Sequence, residues 1–309
     1  MSKQGLLWIV FAGVIGIMLA LDLGIFRRKV REVKMKEALI WSAVWIGLAF
    51  CFNAVIFFLR GPDTALKFLT GYLLEESLSV DNLFVFLLIF SYFRVEGAYQ
   101  HRVLFWGILG AVVMRGLFIG AGITMIHRFH GIIYVFGAFL VWTGYKLVTG
   151  SERSVDPAKN PLIQGFRRIM PVTEGFEGGR FFTRKNGRIF ATPLFIVLMM
   201  LETTDVIFAF DSIPAILAVT TDPFVVFTSN IFAILGLRSL YFALANMMQL
   251  FYYLSHGLAL ILILIGIKML VSDFIHVSTV MTLGALAVIL TISVAASLIR
   301  IGKTGREPE

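Results

Sequence analysis

The stretch Leu201-Glu202-Thr203-Thr204-Asp205-Val206-Ile207-Phe208-Ala209-Phe210-Asp211-Ser212-Ile213-Pro214 places three carboxylates inside an apolar run long enough to cross a bilayer. An ionised acid at that depth costs roughly a few kcal/mol unless it meets a partner or water. A second stretch, Leu74-Glu75-Glu76-Ser77-Leu78-Ser79-Val80-Asp81-Asn82, poses the same problem earlier in the chain. The two are related. Asp81-Asn82-Leu83-Phe84-Val85-Phe86 matches Asp205-Val206-Ile207-Phe208-Ala209-Phe210 in the acid and both phenylalanines. Further along, Ile108-Leu109-Gly110 leads to Arg115 as Ile234-Leu235-Gly236 leads to Arg238, and Gly144-Tyr145-Lys146 parallels Gly266-Ile267-Lys268. The spacings agree: 34 and 33 residues from acid to arginine, then 31 and 30 from arginine to lysine. The pattern is an internal repeat of three spans. Three is odd, so the second copy enters the membrane from the opposite side, and inverted repeats of this kind place a substrate site near the midplane at their interface.

Composition agrees with a membrane chain. Hydrophobic residues make up 58% and charged residues 15% of the 309, against roughly 45–50% and roughly 25% in soluble domains. The net charge of +8 does not mark nucleic-acid binding, because the basic residues lie between apolar runs and act as topology signals. The single cysteine, Cys51, excludes an intrachain disulfide and a thiolate metal cluster, and reads as a small buried hydrophobe.

Nine spans follow, at about 6–26, 38–59, 66–90, 103–126, 131–149, 191–219, 224–248, 256–272 and 278–299. The first reads as an anchor rather than a cleaved signal, because the basic run Arg27-Arg28-Lys29-Val30-Arg31 follows its apolar core instead of preceding it. With the N-terminus outside, 19 of the 27 basic residues fall on the inner side, so the C-terminus is cytoplasmic. The fold class is all-α and polytopic. Two N-terminal helices (1–64) precede a first repeat (65–150), a basic inner-face linker without sustained apolar periodicity (151–189), a second repeat (190–275), and a last helix with its tail (276–309).

Helical spacing sets Glu75, Ser79 and Asn82 on one face and Glu202, Asp205 and Ser212 on another. Asp211 falls off that face, and Pro214 is expected to break the helix and turn Asp211 and freed carbonyls toward a cavity. The resulting donors are all oxygens and suit Mn²⁺, Ca²⁺ or Mg²⁺. The candidate metal residues are therefore Glu75, Asp81, Asn82, Glu202, Asp205 and Asp211, with Arg115 and Arg238 as counter-ions or gates. The five histidines lie near span ends as interfacial residues, Lys146 and Lys268 snorkel to opposite interfaces, and Asp22 and Glu76 are left without an assigned role. No nucleophile meets a base at a shared depth and no phosphate loop is complete, so neither an enzyme nor an ATP-driven pump is indicated.

The segments Glu75-x-Ser-Leu-Ser-Val-Asp81-Asn82, Glu202-x-x-Asp205-Val-Ile-Phe-Ala-x-Asp211-Ser-Ile-Pro214 and Ile-Leu-Gly-Leu-Arg238 resemble the signature segments of the TerC/Alx family of bacterial integral membrane proteins, and are most similar to its Alx branch. That family is grouped with LysE-type transporters and associated with tellurium resistance, alkali-responsive expression and manganese export. The resemblance implies an inner-membrane antiporter whose transported ion is Mn²⁺, carried by Glu75, Asp81, Glu202, Asp205 and Asp211, with no permanently bound cofactor. The partners so implied are a divalent cation and the lipid bilayer, with membrane proteins as further candidates. Two rivals remain: a membrane protein that presents Mn²⁺ to a secretion or resistance complex, and a structural protein whose acids serve only internal salt bridges.

Overall fold

The computed structural model describes residues 3–26, 35–129, 131–149, 161–185, 187–244, 253–275 and 277–304; the side chains of Asp22 and Asp81 lie outside the described residues. Its long elements are α1 (Lys3–Phe26), α2 (Met35–Arg60), α3 (Pro62–Tyr92), α4 (Gly97–Arg128), α5 (Ile132–Val148), α7 (Pro193–Leu217), α8 (Pro223–Leu244), α9 (Leu254–Leu270) and α10 (Thr279–Thr304). Their bounds follow the nine apolar runs. Among the described residues α2, α4, α7, α8 and α10 are long and apolar enough to cross a membrane by length and composition, and α5, α9 and much of α1 are shorter apolar helices. The 31-residue α3 carries the first acidic stretch. Large apolar side chains such as Ile40, Phe58, Val113, Leu117 and Ile292 are exposed along these helices, the outward face expected where lipid is the solvent. Burial separates centre from rim: 83% of the apolar stretch of α8 is buried but only 22% of that of α10.

Local sequence explains several boundaries. Pro62 opens α3 and Pro193 opens α7 at the first helical turn, where the missing N–H costs nothing. Gly61 has φ 90, a conformation that lets α2 and α3 turn about a single residue. The expected break at Pro214 does not occur. The α7 helix runs through it to Leu217, because Ser212 to Leu217 are buried on every side and packing outweighs one lost backbone bond. The connection between α5 and α7 is also more structured than its composition indicates. It holds α6 (Pro161–Ile169), a 3₁₀ turn at Glu177–Gly179 and an antiparallel hairpin of β1 (Phe182–Lys185) and β2 (Arg188–Ala191). Apolar side chains seat it on the bundle: Ile163 is buried, and the rings of Phe166 and Phe182 pack at a tilt against Phe195 at the start of α7. Leu162, Ile163, Phe166 and Ile169 do recur at helical spacing, but the signal is only nine residues long and the basic, Gly-containing stretch around it outweighs it.

The packing is reciprocal across the two halves. The α3 helix packs on α8, and α4 on α7; α5 packs on α9 more extensively than any other described pair. Exchanging α3, α4 and α5 for α7, α8 and α9 returns the same pairs. By contrast, α3 makes only marginal contact with α4, as α7 does with α8. At the α5–α9 seam a Cβ on Gly144 would meet the Ala259 carbonyl oxygen and Ile263, and one on Gly266 would meet the Gly137 carbonyl oxygen and Val141. Rising numbers on α5 meet falling numbers on α9, so these helices run antiparallel. Along α4 and α7, Gly107 faces Leu201, Arg115 reaches Asp205 and Gly122 faces Ile213 and Leu217, so this pair runs parallel.

Candidate functional site

Four helices converge on one guanidinium. Arg115, on α4, is 1% exposed. Its Nη1 donates to Glu75 Oε1 on α3, and Nη2 and Nε donate to Asp205 Oδ1 at 3.1 Å and Oδ2 at 3.3 Å on α7. Nη1 also reaches Ser212 Oγ at 3.2 Å and Asn230 Oδ1, on α8, at 3.3 Å. Asn230 in turn donates from Nδ2 to Glu75 Oε2 at 2.8 Å. Both Glu75 oxygens and both Asp205 oxygens are thereby engaged. The planar fork of arginine matches a carboxylate with two parallel bonds, a geometry an ammonium lacks. Asp205 is the middle residue of α7 (Pro193–Leu217), which sets the node at mid-helix depth. Two carboxylates thus face this single positive charge.

Two cavities flank this node. The first is lined by Arg115, Asp205 and Arg238 among apolar side chains of α3, α4, α7 and α8, including Phe86, Leu104 and Ile234. The second lies between α3, α5, α7 and α9, where Asn82, Thr143, Asp211 and Ser212 supply its polar lining. Thr143 Oγ1 donates to Asp211 Oδ1 at 3.2 Å. Ser212 joins the node to the second cavity, touching Arg115 on one side and lining that cavity on the other. Asp211 enters this cavity without any break of α7, because it sits about 100° around the helix from Ser212 and there faces α5.

The remaining candidate residues fall outside those two groups. Glu202 lies on α7 against Gly110 of α4, so close that a Cβ at Gly110 would overlap its carboxylate. Glu202 and Asp211 are nine residues apart, about 13.5 Å along the axis, so the α7 acids form a ladder rather than a single cluster. Asp81's side chain is outside the described residues. Among the described residues no three His, Cys, Asp or Glu side chains converge to hold a metal ion. Glu76 turns away from the node toward Tyr72, and its Oε2 is buried without a hydrogen-bond partner.

Some minor residues depart from the sequence reading. Cys51 is exposed, on the outer face of α2 rather than in a core. Lys268 does not snorkel: its Nζ donates to Thr282 Oγ1 on α10 at 3.0 Å. Lys146 lies over the Trp142 ring. His101 stacks on Phe242 inside the bundle, whereas His130 and His276 lie outside the described residues. Two residues of the site escaped sequence reasoning, Asn230 and Thr143. Asn230 closes the run Thr228-Ser229-Asn230, three polar residues each 0% exposed in the mainly apolar first half of α8, and that run was the available signal. Thr143 offered none.

The comparisons with known proteins bear on the whole chain. Residues 60–305 match the model of the integral membrane protein TerC family. The chain is 52% identical over 294 residues to "Uncharacterized membrane protein STKORF319" of Myxococcus xanthus, covering 95% of this chain and 92% of that one. It is 48% identical over 297 residues to "Putative membrane-bound redox modulator Alx" of Escherichia coli (strain K12), covering 93% and 92%. A membrane protein of Rickettsia bellii is 39% identical over 293 residues, covering 95% and 97%. No solved structure matches. With a family model spanning most of the chain and relatives matched nearly end to end, this multi-pass membrane protein belongs to the TerC family of integral membrane proteins.

Proposed function

We propose that this protein is a secondary transporter that exports divalent cations, Mn²⁺ foremost, from the bacterial cytoplasm across the inner membrane, with its N-terminus outside and its C-terminus inside. The observation that carries the reading is the cavity bounded by Asp211, Asn82, Thr143 and Ser212 among apolar helices. Its polar lining is oxygen alone save for the Asn82 amide nitrogen, the donor type that hard cations take and that softer metals do not prefer. Asp205 and Glu75 lie one step away at the Arg115 node, and Glu202 and Asp81 extend the acids along α7 and α3. The reciprocal packing of α3–α5 with α7–α9, with α5 antiparallel to α9, supports two inverted repeats that rock against each other around this site. Exchange against protons is the coupling, because a carboxylate binds either a proton or a metal ion. The activity is transport, with the cation as cargo and no resident cofactor. The redox role in the relatives' name would act through the cation, since a lone cysteine cannot cycle an intrachain disulfide.

The test is metal flux in proteoliposomes containing the purified chain, comparing Mn²⁺, Ca²⁺ and Mg²⁺ with and without a pH gradient, alongside Asp211→Asn. Mn²⁺ movement that follows the gradient and is lost in Asp211→Asn supports the proposal. Folded protein that moves no cation overturns it. A second reading, a membrane partner that hands Mn²⁺ to a larger complex, is favoured by the exposed basic hairpin residues Arg184, Lys185 and Arg188. Because the hairpin's base packs on α7, the discriminating change is substitution of those three residues by Gln rather than deletion of the loop. An autonomous transporter keeps its flux in that variant.

A further inference from the structure

We propose that Arg115 is a tethered stand-in for the transported ion, holding the cation's place between Glu75 and Asp205 until a divalent ion displaces it. This inference rests on the transport reading. The guanidinium is 1% exposed and is surrounded by Glu75 Oε1, both Asp205 carboxylate oxygens, Ser212 Oγ and Asn230 Oδ1. That is an oxygen-only shell drawn from three helices, the kind of shell a hard divalent cation takes. The charge count points the same way. Two carboxylates face one guanidinium, and a divalent ion in its place would balance both, whereas an ion added beside it would leave excess positive charge in a region of low dielectric.

The cavities set the route of the exchange. Arg115 borders the first cavity, which holds about 20 Å³, the room of roughly one water, so its withdrawal on that side goes with the rocking of the two halves that widens this cavity. On the other side Ser212 opens directly onto the cavity of Asp211, so an ion leaving Asp211 meets a residue that Arg115 already touches. The exchange also has a mechanical result. Arg115 ties α4 to α3, α7 and α8, elements of both halves, and its withdrawal removes those ties at the moment the ion supplies others. The empty protein is then held in register by Arg115 and the loaded one by its cargo, which keeps the site from standing open and unbalanced in either state.

The experiment uses the full-length protein, wild type, R115Q and R115K, each verified as folded. Mn²⁺ binding is measured by calorimetry and Mn²⁺ flux in proteoliposomes. Removing the internal competitor should tighten Mn²⁺ binding in R115Q by at least about tenfold, the low end of the couplings measured for close charge pairs, while turnover falls. The expected signature is a lower KM together with a lower kcat. R115K keeps the charge but loses the bidentate fork, so it should preserve folding if R115Q does not and tighten binding by a smaller factor. Wild-type flux with no tightening in either folded variant overturns this inference and leaves the transport reading standing. Absence of both Mn²⁺ binding and flux in the folded wild type overturns the two together.

Discussion

The α5–α9 seam supports a prediction with its own control. A Cβ at Gly266 would stand 2.7 Å from the Gly137 carbonyl oxygen and 2.8 Å from the backbone nitrogen of Val141. Ordinary van der Waals contact begins at 3.4 Å, so the added carbon is about 0.7 Å too close to atoms that cannot rotate away. The helices must part along their most extensive contact, and overpacking of this kind costs about 1–3 kcal/mol. Gly144→Ala meets the Ala259 carbonyl oxygen at the same 2.7 Å and should cost a similar amount, about 1–3 kcal/mol. Gly284 and Gly120 have nothing within 4 Å of where a Cβ would stand, so their Ala variants should be neutral or up to about 1 kcal/mol more stable through helix propensity. Reversible unfolding in bicelles measures all four. A Gly266→Ala protein as stable as Gly284→Ala would refute the close seam and, with it, the antiparallel pairing inferred from it.

Other substitutions address the polar interior. Glu75→Gln and Asp205→Asn each leave the buried Arg115 short of a counter-charge and should destabilise the protein by about 3–5 kcal/mol, whereas Glu75→Gln with Arg115→Gln should cost less than the two single changes summed; chemical unfolding of the wild type, both single variants and the double variant gives the cycle. Asp211→Asn keeps an oxygen to accept from Thr143 and should change stability by less than about 1 kcal/mol while abolishing Mn²⁺ flux. Gly110→Val removes the space that Glu202 occupies and should lower flux in step with Glu202→Gln, read in the same vesicles. Arg60 and Asp222 form a 2.7 Å ion pair with both side chains about a quarter exposed, so Arg60→Ala should cost no more than about 1 kcal/mol in unfolding assays.

Much of this architecture is legible in residue order because lipid imposes a simple rule: every crossing needs an apolar run of fixed length. Each apolar run expected from that rule coincides with a helix among the described residues, its ends within six residues of those expected. The charged landmarks Arg115 and Arg238, Lys146 and Lys268 likewise mark out in the sequence the two three-helix sets that pack reciprocally. What they do not expose is which acid an arginine meets. Arg115 takes its partners from residues 40, 90 and 115 positions away, and only tertiary packing decides among six acids. Asp211 was placed correctly at a cavity for the wrong reason, because its own helical angle suffices without a break at Pro214. Asn230 was overlooked because the short run Thr228-Ser229-Asn230 carries no charge, and its weight shows only in the contact with Glu75. The folded connection between the halves went unread because Phe166 and Phe182 find their partner in Phe195, beyond the segment itself.

The interlocked pairing of the two halves has a consequence for synthesis. Since α3 and α4 scarcely touch, the first three-helix unit has no interior of its own when it leaves the ribosome. Arg115 is then in the membrane before Asp205 has been made. The 90 residues between them correspond to roughly 5–20 s of translation at about 5–20 residues per second. During that interval Glu75, already synthesised on α3, is the one described acid of the finished node that can neutralise the arginine. Its earliest duty is thus to a nascent chain, and a chain lacking it would have to hold a bare guanidinium in lipid until its second half arrived.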